Sequence, residues 1–185
     1  SSSSSLDLQH LASATPGGDP TTGFTLTIPA STGINDIMIV SVMNRGATAD
    51  PTVSDDGGGS AWALVKSTNN GTSNASVWWK RGGLTSGGAT LTVAGCTDSC
   101  AGGISVYRNA TTSSPPFENA TAETNVAGDE IHAGITPTAR GTMVCLSTFQ
   151  ADDLPVASQS TTTPGALTER FDKLSLGGND SACAH

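Results

Sequence analysis

Charge is scarce in this chain. Charged residues make up 13% of its 185 positions, against roughly 25% in an ordinary globular protein. Cations are scarcer still, with 8 Lys+Arg facing 16 Asp+Glu for a net charge of -8. Such a domain lacks the basic footprint that a phosphate backbone requires, so no nucleic-acid partner is expected. Long apolar runs are missing as well. None approaches the roughly 20 residues of a bilayer-crossing helix, and no membrane partner is expected. Four cysteines are too few for a disulfide scaffold and show no paired C-x-x-C metal spacing. The chain has no G-x-S-x-G elbow, H-E-x-x-H helix or P-loop, so neither catalysis nor a cofactor is expected. No segment carries a convincing 3.6-residue period. The first residues, Ser1–Ser5 then Leu6-Asp7-Leu8, have neither the basic nor the apolar region of a signal peptide.

What is present is glycine, serine, threonine and short apolar runs. Hydrophobic residues reach 36% and 22 glycines punctuate them, a composition that folds rather than staying disordered. Alternation at period 2 marks strands over 8–14, 23–28 and 89–94, with one face in the core and one in solvent. The nearly continuous apolar run 36–43 predicts a strand covered on both faces. Further strands are expected at 61–66, 75–81, 102–108, 131–135, 141–149, 166–173 and 179–184. Asn69-Asn70-Gly71 reads as the turn between two of them, because Asn and Gly tolerate positive φ. The order of a buried strand, a turn-rich loop and two half-buried strands occurs twice, at 36–80 and again at 141–184. The fold class that follows is all-β, a two-sheet antiparallel sandwich of jelly-roll type.

Several residues invite a functional reading. Cys96 and Cys100 flank Thr97-Asp98-Ser99, a loop that a disulfide would close. The other reading is buried thiols acting as small hydrophobes. Cys145 and Cys183 offer a second pairing. Asp55-Asp56 and Asp152-Asp153 present carboxylates, but neither stretch has the spacing of a calcium loop, and acidic turns are the ordinary reading. His132 lies near Asp129 and Glu130 in sequence, where an edge-strand histidine is the simpler account than a catalytic one. Trp78 and Trp79 are consecutive, so their side chains face opposite sides of a strand. Trp62 is assigned to the core. Trp79 and Tyr107 are candidate interaction residues, with a subunit contact favoured over a sugar platform. Asn70, Asn74, Asn109, Asn119 and Asn179 each open an N-x-[ST] sequon, meaningful only in a secreted eukaryotic chain.

A set of motifs runs in order along the chain: Gly23–Pro29, Asp36–Gly46, Trp62–Val65, Val77–Lys80, Ala101–Arg108 and Thr168–Asp172. With them the chain resembles the jelly-roll β-sandwich module of tailed-phage structural proteins and some bacterial surface proteins. The resemblance implies a virion structural protein, a capsid decoration (cement) protein that clamps a major capsid protein as a homo-oligomer such as a trimer. Its place would be the capsid surface of the virion. The alternative it implies is a carbohydrate-binding or adhesin module of a tail fibre or bacterial surface protein, in an extracellular setting. The arm at 1–15, with Leu6, Leu8 and Leu11, is expected to add a strand to a neighbour, and 16–185 to form the sandwich.

Overall fold

In a computed structural model of the protein, residues 7–17, 21–112, 115–118, 120–121, 143–150, 167–175 and 180–184 are described. Among them are eleven strands and no helix. In chain order these are β1 (Gln9–Ala14), β2 (Gly23–Thr27), β3 (Ile37–Arg45), β4 (Thr52–Asp55), β5 (Ala63–Asn69) and β6 (Ser73–Arg81). There follow β7 (Thr90–Ala94), β8 (Ser99–Arg108), β9 (Ser147–Gln150), β10 (Phe171–Ser175) and β11 (Asp180–Ala184). A five-stranded central sheet has the order β1-β8-β3-β6-β5, a front sheet the order β2-β7-β4, and a back sheet the order β10-β11-β9. All pairings are antiparallel.

The central and front sheets make the expected all-β sandwich. Side chains alternate across β3, so Met38, Val40 and Val42 meet Phe24, Leu26, Leu91 and Val93 from the front sheet. Each such aliphatic or aromatic side chain removed from water contributes about 1.5–3 kcal/mol. The other face of β3 is also covered. Ile37 and Ile39 join Tyr107 there, Met43 packs near Phe149, and Ser41 Oγ shares a 2.7 Å hydrogen bond with Ser147 Oγ. That second cover explains the unbroken apolar run at 36–43. The later half of the doubled pattern therefore closes the back of the central sheet instead of the front core.

Strand β8 lies between the two covers and carries Gly102 and Gly103. A methyl group at Gly102 would stand 3.0 Å from the Phe24 ring, and one at Gly103 would stand 2.9 Å from the Phe171 ring. Consecutive strand residues face opposite sides, so the two phenylalanines seat on the same strand from front and back. The β5–β6 turn forms as its sequence predicts. Asn70 Oδ1 accepts from Thr72 N at 3.1 Å and Ser73 N at 2.8 Å, while Gly71 takes φ 89°.

Two expectations are corrected. Part of the N-terminal arm is not an arm: Gln9–Ala14 is β1 and pairs with β8 of its own chain. Strand β4 was not anticipated, because Thr52-Val53-Ser54-Asp55 holds a single apolar residue. The strand at 131–135 falls outside the described residues.

Candidate functional site

The residues singled out in the sequence land in different places. Leu11 packs against the front core and Leu8 against the Ile37–Tyr107 cluster, so both are spent within the fold. Leu6 lies outside the described residues. Tyr107 is only 3% exposed and cannot serve as an open platform, which corrects its assignment to an interaction surface. Trp62 is in the core as expected. Trp78 packs towards the front core while Trp79 faces the back. Cys96 and Cys100 form a disulfide, whereas Cys145 is a free thiol, so no Cys145–Cys183 bridge exists.

Trp79 is half-buried and borders a groove of about 530 Å³ beside edge strand β5. Leu64, 42% exposed, forms one wall, and Pro115 and Phe117 form another. The Trp79 and Phe117 rings meet edge to face, 5.7 Å apart at 90°. Phe117 was missed in the sequence, where Pro115-Pro116 signalled only a chain break. An aromatic directly after such a break can fold back as a lid, and that was its one available signal.

A second cluster sits behind β1. The β1–β8 register slips between His10 and Ala12, so Leu11 is an extra residue. Residues three apart on a regular strand face opposite ways, but this bulge puts His10 and Ser13 on one face. His10 Nε2 lies 2.8 Å from Ser13 Oγ, which lies 3.0 Å from Ser105 Oγ. The His10 ring stands edge-on to Tyr107 at 5.5 Å. From the back sheet side come Arg170 and Cys145, the thiol hydrogen-bonded to the Tyr107 hydroxyl. Burial, and then the Arg170 charge, lower the His10 pKa from its ordinary 6.5. Tyr107 is pushed up, first by burial and then by Cys145. Cys145 is exposed as a residue, yet its thiol is also pushed up, first by desolvation. A histidine and two hydroxyls in a row can relay a proton, but no carboxylate orients the imidazole as hydrolytic chemistry needs.

The acidic residues considered for calcium do structural duty instead. Asp55 and Lys80 make an ion pair of 2.6 Å with side chains 0% and 3% exposed. Trp62 Nε1 also donates to Asp55 Oδ2 at 2.6 Å, Gly57 N donates to Oδ1 at 2.8 Å, and Lys80 donates to the Gly58 carbonyl at 2.6 Å. The pair ties β4 of the front sheet to β6 of the central one. Asp36 likewise binds Arg108, Oδ1 to Nε at 3.0 Å and Oδ2 to Nη2 at 2.7 Å, fixing the loop before β3. Among the described residues, no three His, Cys, Asp or Glu side chains group as metal ligands. Asp152-Asp153, His132 and His185 lie outside them. The sequon at Asn74 is closed to glycan: its side chain is buried and Nδ2 donates to Thr48 O at 3.2 Å and Asp50 Oδ1 at 3.0 Å. No protein-family model, curated protein or solved structure matches the chain.

Proposed function

We propose that the protein is a virion structural protein, a capsid decoration module that holds a major capsid protein through open sheet edges. The observation that supports this reading is the pair of ends of the central sheet. Among the described residues β1 and β5 each have a strand neighbour on one side only. The far side of such a strand offers a row of backbone donors and acceptors to a strand from another chain. Beside β5 this edge adjoins the Leu64–Trp79–Phe117 groove, which would take an apolar side chain of the added strand. The perpendicular Trp79 and Phe117 rings give no flat shared face for a sugar, which favours a protein partner over a glycan. The few charges suit a close-packed shell, since little desolvation accompanies contact between hydroxyl-rich surfaces. The capsid surface and a symmetric homo-oligomer belong to the same proposal. Quantitative mass spectrometry of purified particles tests it. A fixed ratio to the capsid protein is expected, and a secreted monomer absent from particles would overturn it.

A further inference from the structure

We propose that β1 is a detachable strand, held on the central sheet while His10 is neutral and released when His10 takes up a proton. The inference starts from how β1 is attached. It is an edge strand of six residues with β8 as its neighbour, and none of its side chains is fully buried. Its register is broken by the bulge at Leu11, which leaves the Gln9-His10 pairing as a short section separate from Ala12–Ala14. The chain that follows reads Thr15-Pro16-Gly17-Gly18-Asp19-Pro20. Two glycines between prolines make a joint that lets β1 swing away without pulling on β2.

The latch is the face that the bulge creates. His10 lies edge-on to Tyr107, opposite it in the ladder, and bonds Ser13, which bonds Ser105. Every group that faces it from the packed elements is neutral or positive. β8 brings Tyr107 and Ser105, the segment before β9 brings Cys145, and the segment before β10 brings Arg170. Tyr107 and Cys145 are both pushed up, so neither turns negative in mildly acidic solution. A protonated His10 therefore adds a cation beside Arg170 in a site with little water and no counter-charge. Separation of β1 from the sheet relieves that repulsion and rehydrates the imidazolium.

The sign follows from linkage. A histidine whose pKa is lowered in the folded state stabilises the attached form fully above its ordinary 6.5. That contribution is lost as pH falls below 6.5 towards the lowered value, because the detached strand binds the proton better. Release frees Leu11, Ala14 and the strand backbone, and uncovers the edge of β8. That a freed β1 then pairs with a neighbouring subunit rests on the docking role proposed above. The release itself is a property of the isolated chain.

Hydrogen–deuterium exchange of the full chain from pH 7.5 to 5, corrected for the intrinsic pH dependence of exchange, tests the release apart from any capsid. The peptide over Gln9–Ala14 should lose at least about tenfold protection below pH 6.5, while the peptide over Thr90–Ala94 keeps its own. His10→Gln should flatten the pH response at β1, which sets His132 and His185 aside as its source. Arg170→Gln should weaken the response and bring the His10 imidazole titration, read by NMR, back towards 6.5. Flat protection of β1 across the range would overturn the proposal. So would a response that survives in His10→Gln, or one that β7 shares in step. If β1 detaches and particles still lack the protein, the docking role fails and the latch stands.

Discussion

Replacing Lys80 with methionine keeps most of the side-chain volume and removes the ammonium from a sealed site. Asp55 would retain the Trp62 and Gly57 donors but lose the 2.6 Å ion pair that balances its charge. Breaking a buried pair by removing one partner costs about 3–5 kcal/mol, because the surviving charge is stranded. For a domain of this size each kcal/mol lowers Tm by about 2–4 °C, so a fall of about 6–20 °C is expected by scanning calorimetry. Total stability of a typical domain is only about 5–15 kcal/mol, and the single variant could leave little folded protein. The double variant Lys80→Met/Asp55→Asn avoids this, since neither charge is left in the site. It should be more stable than Lys80→Met alone, giving a coupling energy of opposite sign to the single effects. Additive losses, or a Lys80→Met loss below about 1 kcal/mol, would refute the view that the pair clamps the front sheet onto the central one.

Three further outcomes follow from the packing. Gly103→Val should cost about 1–3 kcal/mol by overpacking against the Phe171 ring 2.9 Å away, with exchange protection lost first in β10 and β11. Reduction of the Cys96–Cys100 bridge, which spans a sequence separation of 4, should cost about 2 kcal/mol and lower Tm in dithiothreitol, since so small a loop restrains the unfolded chain modestly. Phe117→Ala should bare one side of Trp79, seen as a red shift in tryptophan fluorescence, with a loss of about 0.5–1.5 kcal/mol beyond the area term.

The strands with regular patterns were legible because burial writes itself into period. The run at 36–43 reads as doubly covered, and β3 is buried on both faces. β2 and β7 alternate as their exposed and buried sides require. The identity of the second cover was hidden, since an apolar run says that something lies on each face without saying which segment. β4 escaped because its role is to carry one carboxylate, not a hydrophobic stripe. Asp55 looked like a turn acid beside Asp56, and its partner Lys80 stands 25 residues away on a strand of another sheet. Tyr107 was misjudged for a related reason. Strand β8 reads as one side apolar at Ile104 and Val106, which leaves Ser105 and Tyr107 on the side that a two-layer sandwich would expose. The back sheet covers that side. The His10–Ser13 pairing was invisible for want of the bulge, since regular alternation separates those two residues.

The glycine dipeptide of β8 acts as an index mark for the whole stack. Sliding β8 by two residues in one direction would bring Ile104 beneath Phe24 and Ser105 beneath Phe171. Sliding it the other way would present Cys100 and Ala101. A slip of one residue would turn every side chain to the wrong layer. Only one alignment gives both phenylalanines their seats at once. Two sheets that never touch each other are thus kept in step by a single pair of missing side chains.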